Sequence, residues 1–342
     1  MKTQAPPYPR TGDLPSCRLA HHKRPFTYTG VDYFGPLTVT VGRTNQKRYV
    51  AIFTCLTTRA IHLEVTASLT TDSAVMALRR MMARRGRPAQ IWSDNGTNLR
   101  GADKELRQAI DAATAEEAAK KIISWRFIPP GAPFMGGAWE RLVRSVKTAL
   151  QATLHERHPA EEVLTTLLAE VEYTVNSRPL THVSVSAEDP EALTPNHFLL
   201  GGNGRVSTPG EFNDRDTICK NSWRAAQRLT DIFWTRWLRE YLPELQHRRE
   251  PHGRGATVKI GDLVQILDSN LPRNIWVRGR VIATFPGPDN IVRTVDVATK
   301  GGVLRRPVRK LVVLPIEDVA PAPTEDATQL HGGRNVRDDA NS

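Results

Sequence analysis

Strand-like segments and helices alternate through the first half of this 342-residue chain, and this order constrains the fold more than any other feature. The segment 26–41 is rich in β-branched and aromatic residues and is interrupted by Gly35-Pro36, which predicts a strand with a break. Strands followed by alternating helices and strands predict an α/β core around a mixed sheet. The further predicted elements are strands over 48–57, 60–65 and 90–93 and helices over 70–86 and 103–123.

The second half of the chain begins with a strongly amphipathic helix over 139–154. Its apolar residues recur at the spacing of one buried face, and polar residues lie on the opposite face. A helix over 161–175 follows, and one over 223–245 carries an aromatic stripe that indicates packing rather than base stacking. From 257 to 314 the pattern changes to short strands separated by Gly, Pro and Asn, which predicts a small β-barrel.

The charge of the chain indicates a polyanionic partner. Lysine and arginine number 47 against 36 acidic residues, a formal net charge of +11. Most of the excess lies between 223 and 314, where 17 basic residues face 8 acidic ones. No apolar run reaches the length of a membrane span, and the first residues lack the apolar segment of a secretory signal. Three cysteines cannot build a disulfide framework, so an intracellular location is expected.

Three acidic residues occupy positions where a carboxylate is unusual. Asp32 lies inside the first strand, Asp94 follows the strand over 90–93, and Glu140 lies in the first turn of the amphipathic helix. Each alone fits an ordinary solvated acid or an acid favoured at a helix start. Two strands and a helix start can also bring three carboxylates to one end of a mixed sheet. Such a group offers the hard oxygen ligands of Mg²⁺ or Mn²⁺, and two such ions promote phosphoryl transfer.

The sequences around these acids resemble a known family. GVDYFGP, WSDNGTN and PPGAPFMGGAWERLVRSVK are similar to the D, D and E blocks of retroviral-type integrase cores. The three acids are 62 and 46 residues apart, and the second interval exceeds the retroviral spacing. The phrases NSRPLTHVS, LTPNHFLLG and FWTRWLREYLPELQHRR resemble integrases of Pao/BEL-type LTR retrotransposons. The resemblance extends over about residues 25–315.

The resemblance implies a ribonuclease-H-like mixed-sheet core that processes DNA 3′ ends and joins them to target DNA. It makes Asp32, Asp94 and Glu140 the catalytic and metal-binding residues, with Mg²⁺ or Mn²⁺ as cofactor. It also implies retroelement ends and target DNA as partners, a homo-oligomer, no membrane, and action in the nucleus. The domain prediction is an extended lead-in at 1–25, a catalytic core at 26–205, a helical linker at 206–250, a small basic SH3-like β-barrel at 251–316 and a disordered tail at 317–342.

Candidate DNA contacts beside the acids follow from their positions. Asn95 and Asn98 lie just after the second acid and can shape the site or touch DNA. Arg144 and Lys147 share the exposed helix face with Glu140 and are natural phosphate contacts. An ordinary solvated face, with Glu140 paired to Arg144, fits the same pattern.

A second set of candidate contacts lies in the predicted barrel. Arg278 and Arg280 alternate with valines, so both can lie on one side of a sheet. Phosphate binding by such residues would be independent of DNA sequence and sensitive to salt. A further basic cluster consists of Arg305, Arg306, Arg309 and Lys310.

The sequence departs from the family pattern ahead of the core, where the family carries a zinc module with paired His and paired Cys. The only cysteine and histidines ahead of Asp32 in this sequence are Cys17, His21 and His22, so no zinc site is expected. Two other functions therefore stay open. One is a decayed or host-co-opted nucleic-acid-binding protein without turnover. The other is a ribonuclease-H-type nuclease, which generally uses a fourth carboxylate.

Overall fold

The computed structural model describes residues 15–111, 123–128, 137–180, 193–202, 210–217, 222–245, 258–266, 273, 277–289 and 291–313, with the backbone alone for 106–111, 137–140 and 242–245. The helices are α1 (Ser16–Leu19), α2 (Thr71–Arg85), α3 (Thr97–Asp111), α4 (Gly137–Leu154), α5 (Glu161–Asn176), α6 (Pro195–Leu200) and α7 (Ser222–Leu245). The strands are β1 (Tyr28–Val41), β2 (Thr44–Cys55), β3 (Ile61–Thr66), β4 (Gln90–Ser93), β5 (Ser124–Phe127), β6 (Leu263–Ile266), β7 (Arg278–Pro286), β8 (Val292–Thr299), β9 (Gly302–Pro307) and β10 (Leu311–Val313). None of the helices in these ranges is both long and apolar enough to cross a lipid bilayer.

The first five strands form one mixed sheet in the order β3-β2-β1-β4-β5. β1 pairs antiparallel with β2 and parallel with β4, and β5 continues the parallel part. The predicted break at Gly35-Pro36 is a cis peptide inside β1, where the register with β2 shifts. Three antiparallel strands followed by two parallel ones, with helices on both faces, confirm the α/β class and the ribonuclease-H-like core.

Helix α2 begins and ends where its sequence predicts. The Thr70 hydroxyl accepts a hydrogen bond from the Ser73 N–H, which satisfies one of the free donors of the first turn. At the other end the N–H of Gly86 donates to the Met82 carbonyl. Gly86 has a φ of 82°, a conformation that glycine adopts without the strain of a side chain. These two caps set the length of the helix.

Two apolar layers cover the faces of this sheet. Helices α2 and α3 pack on one face, and α4, α5 and α7 pack on the other. The aromatic stripe of α7 is buried in the second layer, where Trp237 stacks on Phe233 and Tyr241 with ring centroids 6.1 and 4.5 Å apart. The prediction that this stripe serves packing is confirmed. Helix α7 therefore forms part of the core layer, although the sequence placed it in a linker.

A buried cluster of charged side chains fastens α2 and α5 to β3. Both ring nitrogens of His62 face carboxylates, with Nε2 2.9 Å from Glu64 Oε1 and Nδ1 3.0 Å from Glu172 Oε2. Burial opposes the charged form of His62, but the two carboxylates outweigh it and raise its pKa. Burial disfavours the charged form of both acids, but hydrogen bonds from His62 outweigh it and lower the pKa values of Glu64 and Glu172. Arg80 and Arg84, 2.6 and 2.7 Å from Glu64, and Arg85, which contacts Glu172, add to this effect.

The C-terminal strands form a five-stranded antiparallel sheet in the order β10-β6-β7-β8-β9, the sheet of a small SH3-like domain. Its core is a cluster of valines with Ile266 and Leu311. Arg273, on the connection between β6 and β7, is buried and reaches toward the core helices. Its guanidinium lies 3.1 Å from Asp231 of α7 and 3.5 Å from Glu170 of α5 and contacts Gln227.

The structure corrects the sequence prediction in several elements. Helix α3 begins at Thr97, six residues before the predicted start. Ile123, at the predicted end, lies in no helix and directly precedes β5, and residues 112–122 are outside the described ones. Strand β5 has four residues, too few for a pattern to stand out. The short α6 lies between the predicted helices over 161–175 and 223–245, where no element was predicted, and its start is marked by a Thr194 capping box with Pro195. The short strands predicted over 257–314 include β9, of six residues.

Candidate active site

Two of the three predicted acids lie side by side at one end of the mixed sheet. β1 and β4 are parallel, and their last paired residues are Val31 and Ser93. Asp32 and Asp94 are the next residues on the two strands, so the backbones of β1 and β4 separate at the level of these acids. Asp32 stays within β1 because that strand is much longer, whereas Asp94 begins the turn after β4. The register therefore places the backbones of the two acids on neighbouring strands at the same level.

Helix α4 crosses this end of the sheet and places a lysine on the first acid. Lys147 Nζ donates to Asp32 Oδ2 at 2.6 Å and to the Tyr33 carbonyl at 3.0 Å. The other carboxylate oxygen, Oδ1, accepts the Tyr33 N–H at 2.7 Å. The side chains are partly open to solvent, with 23% of Lys147 and 37% of Asp32 exposed. Lys147, predicted as a phosphate contact, is thus the counter-ion of Asp32 in this structure.

The turn after β4 is held by contacts that the sequence did not suggest. Trp125 Nε1 donates to Ser93 Oγ at 2.8 Å, and this hydroxyl donates to the Asp94 carbonyl at 2.9 Å. The Asp94 carboxylate accepts the Gly96 N–H at 3.0 Å and is otherwise exposed. The amide of Asn95 donates to the Ile128 carbonyl at 2.6 Å. The ends of β4 and β5 are therefore tied together, which fixes the direction in which the second acid leaves the sheet.

The predicted polar neighbours of Asp94 differ in what they do. The side-chain oxygen Oδ1 of Asn95 accepts a hydrogen bond from the Arg100 guanidinium at 2.7 Å, and this guanidinium lies 5.7 Å from the Phe127 ring centre. Asn95 therefore supports the turn. The Asn98 amide nitrogen is buried and has no hydrogen-bond partner in the described part of the chain. An amide donor without a partner, beside the turn that carries Asp94, is suited to bind an oxygen atom of a ligand.

The third predicted acid, Glu140, lies in the first turn of α4, and its side chain is outside the described residues. It precedes Lys147 by seven residues, close to two helical turns, so the two share one face of α4. Lys147, which touches Asp32, belongs to the described part of the same helix. Arg144 is exposed on the same helix.

No described group of three His, Cys, Asp or Glu side chains gathers closely enough to hold a metal ion, and the Glu140 side chain is not among the described ones. The described donors nevertheless fit Mg²⁺ or Mn²⁺ in kind. Asp32 and Asp94 offer carboxylate oxygens, and one oxygen of Asp32 already accepts a cationic group. Asp32 and Asp94 would hold the metal, and Lys147 would compete with it for the Asp32 carboxylate.

The predicted basic residues of the C-terminal sheet lie apart from the acids, and their contacts differ. Arg278 is half-buried and Arg280 is exposed, with one nitrogen 2.8 Å from the Gly261 carbonyl. Arg305 forms two hydrogen bonds to Asp296, at 2.7 and 2.9 Å, and lies 4.2 Å from the Phe285 ring centre. Its charge is therefore largely balanced within the sheet. Of the remaining predicted contacts, Arg306 is half-buried and Arg309 and Lys310 are exposed.

Comparison with known proteins places part of the chain near a family without an assigned function. A profile described as a family of unknown function (DUF5641) matches residues 221–314, which comprise α7 and the C-terminal sheet. No curated protein matches the sequence.

Among solved structures, the simian T-cell lymphotropic virus intasome in complex with PP2A regulatory subunit B56 gamma aligns at 14% identity and a TM-score of 0.32, covering 87% of this chain and 81% of that one. The HTLV-2 integrase catalytic core domain in complex with magnesium aligns in trimeric and dimeric forms at 16% identity and a TM-score of 0.30. These alignments cover 48% of this chain and 91% and 93% of those chains. Similarity this low transfers no residue role, and the fold assignment rests on the strand order and register.

Proposed function

We propose that this protein is the integrase of a Pao/BEL-type LTR retrotransposon, which trims DNA 3′ ends and joins them to target DNA by metal-dependent phosphoryl transfer. The parallel register of β1 and β4 carries the proposal, because it sets Asp32 beside Asp94. Helix α4, whose first turn contains Glu140, supports it, because Lys147 of this helix contacts Asp32. Strands and a helix from three parts of the chain thus converge on one point.

The acids have a defined role in this proposal. Asp32, Asp94 and Glu140 would hold Mg²⁺ or Mn²⁺, which supplies Lewis-acid activation of the attacking oxygen and stabilises the leaving one. In end processing a water oxygen attacks a phosphorus and the bond to the 3′ oxygen breaks, leaving a 3′ hydroxyl. In strand transfer this hydroxyl attacks a target phosphodiester, and the target's own 3′ oxygen leaves.

Binding of DNA falls to residues outside the acid pair. Arg144 on α4 and Arg309 and Lys310 beyond β9 are exposed and free to meet phosphates that approach from solvent. The net charge of +11 favours association with a polyanion. Retroelement ends and chromosomal target DNA are the proposed partners, which requires action in the nucleus. Two DNA ends must be joined in concert, so a homo-oligomer is part of the proposal.

One observation favours a second candidate, a nucleic-acid-binding protein without turnover. The ammonium of Lys147 covers Asp32 Oδ2 at 2.6 Å, as it would in a plain structural ion pair. If that pair persists in the presence of metal, it competes with a cation for the Asp32 carboxylate, and in this second candidate the chain would bind DNA without cutting it.

Metal binding separates the two candidates before any reaction is measured. Titration of Mn²⁺ into the full chain by calorimetry should show saturable binding that Asp32→Asn and Asp94→Asn each abolish. Glu105→Gln, an exposed acid on α3, removes one negative charge elsewhere and should leave binding intact. Wild-type protein without saturable binding would support the non-catalytic candidate.

A further inference from the structure

The turn that carries Asp94 is fastened to the end of β5 on both sides of the acid. The Ile128 N–H donates to the Ser93 carbonyl at 2.8 Å, and the Asn95 side-chain amide donates to the Ile128 carbonyl at 2.6 Å. The residues before and after Asp94 are therefore bonded to the same residue. The Asp94 carbonyl accepts the Ser93 hydroxyl at 2.9 Å. Because a side chain follows its own backbone, these bonds restrict the directions open to the Asp94 carboxylate.

The direction of the Ser93 hydroxyl depends on Trp125. The Trp125 Nε1–H donates to Ser93 Oγ at 2.8 Å, and both residues are buried. A serine hydroxyl has a single proton and accepts through its lone pairs. Because the indole occupies an acceptor position of this oxygen, the hydroxyl proton is left for the Asp94 carbonyl. Without the indole N–H, the hydroxyl is free to rotate away from that carbonyl.

The indole of Trp125 is itself held in one orientation by packing. It belongs to the apolar layer that α2 and α3 form on the sheet. Its ring stacks on Phe127, with centroids 6.0 Å apart and an angle of 16° between the planes. The Arg100 guanidinium lies 5.7 Å from the Phe127 ring centre and donates to Asn95 Oδ1, so α3 joins the same group of contacts.

We propose that Trp125 is a positioning residue for the Asp94 carboxylate. Its indole N–H acts through Ser93 to hold the backbone of Asp94, and this sets how strongly the acid binds a divalent cation. The inference rests on the proposed function, because it gives Trp125 a part in metal binding at the acid pair. The aromatic ring of Trp125 stabilises the fold by packing, which phenylalanine would also do. The N–H is therefore the group to remove.

The test is titration of Mn²⁺ into the full chain by calorimetry. Trp125→Phe keeps a packed ring and should weaken Mn²⁺ binding about three- to tenfold, the effect of one buried hydrogen bond. Ser93→Ala should weaken it by a similar factor, and the double variant by no more than either single change, since both break the same series of bonds. The matched control is Trp92→Phe, which removes an indole N–H bonded at 2.8 Å to Gln90 and should leave Mn²⁺ binding unchanged.

NMR relaxation of the metal-free chain gives a second readout. The backbone order parameters of Asn95 and Gly96 should fall from about 0.85 toward about 0.6 in Trp125→Phe and keep their wild-type values in Trp92→Phe. Unchanged order parameters in Trp125→Phe would overturn the proposal, as would an equal loss of Mn²⁺ affinity in Trp92→Phe. A lower unfolding temperature with wild-type Mn²⁺ affinity would show a structural role alone and also overturn it. If the wild type binds no Mn²⁺ but Trp125→Phe loosens the turn, the proposed function fails and the positioning of the turn by Trp125 stands.

Discussion

Lys147 Nζ lies 2.6 Å from Asp32 Oδ2, although the two residues are 115 positions apart in the chain. The ammonium occupies one oxygen of a carboxylate that would also hold a metal in the proposed function. It also touches the Tyr33 carbonyl, so α4 is tied to β1 by two contacts. In the proposed reaction this lysine has two possible partners, the Asp32 carboxylate and a DNA phosphate. Asp32 would hold this lysine less strongly when it also holds a metal, which leaves the ammonium available to the phosphate.

Removal of this lysine should ease metal binding. Lys147→Gln should tighten Mn²⁺ binding about two- to fivefold in the absence of DNA, because a partly exposed ion pair is worth up to about 1 kcal/mol. Calorimetric titration measures the change, and Lys47→Gln, an exposed lysine on β2, is the control. Weaker Mn²⁺ binding by Lys147→Gln would mean that the lysine supports the metal site rather than competing with it.

The buried His62 cluster predicts how stability depends on pH. The folded pKa of His62 is raised above 6.5, so its stabilisation is complete below pH 6.5 and is lost as pH rises through the folded value. Glu64 and Glu172 have folded pKa values below 4.5, so their stabilisation is present above pH 4.5 and is lost as pH falls through the folded values. The free energy of unfolding in urea should therefore decline on the alkaline side of neutrality.

His62→Gln tests this directly. It should destabilise the protein by about 3 kcal/mol near pH 6, since it breaks a buried ion cluster, and it should flatten the alkaline decline. His155→Gln, at an exposed histidine after α4, should keep the wild-type profile. An unchanged alkaline slope in His62→Gln would contradict the assignment of charge to His62.

Arg273 should hold the C-terminal sheet against the core helices. Arg273→Met leaves Asp231 facing a neutral side chain, and burial already raises the pKa of that acid. A loss of about 2 kcal/mol is expected because both acids keep some access to water. Urea unfolding measures it. Arg293→Met breaks an exposed pair with Asp289 and should leave the midpoint unchanged, and equal midpoints for both variants would refute the anchoring role.

Arg309 and Lys310, the exposed basic residues after β9, should contribute more to DNA affinity than Arg305, which is paired with Asp296. Arg309→Gln with Lys310→Gln should reduce the salt slope of DNA affinity by about 2, whereas Arg305→Gln should change it by less than 1. The difference follows from the bond of Arg305 to Asp296. The control is Lys259→Gln with Lys300→Gln, exposed lysines of the same C-terminal unit. A larger effect from Arg305→Gln would reverse this ranking.

The elements that could be predicted are those with local signals. Apolar residues at helical spacing predicted α4, and Val146 and Leu150 are buried as that spacing requires. Thr70 and Gly86 marked both ends of α2 because capping depends on neighbouring residues. Strand β5 and helix α6 were not predicted, because segments of four and six residues show too little periodicity.

The contacts of the candidate site could not be predicted for a different physical reason. The acids themselves stood out because a charge inside an apolar strand needs a partner. The identity of that partner, Lys147, depends on how α4 lies across the sheet, which no local pattern encodes. The same holds for Trp125, whose indole supports the turn at Asp94 through Ser93, and for His62, whose two carboxylate partners come from different elements.

Strand transfer by the full chain in Mg²⁺ or Mn²⁺ tests the central claim most directly. A labelled duplex carrying the element's own terminal sequence should be joined to unlabelled target DNA. Asp32→Asn, Asp94→Asn and Glu140→Gln should each reduce joining by on the order of a thousandfold or more while circular dichroism shows an intact fold. Glu105→Gln should join at the wild-type rate. Joining by Asp94→Asn at the wild-type rate, in a reaction that the wild type performs, would contradict the account.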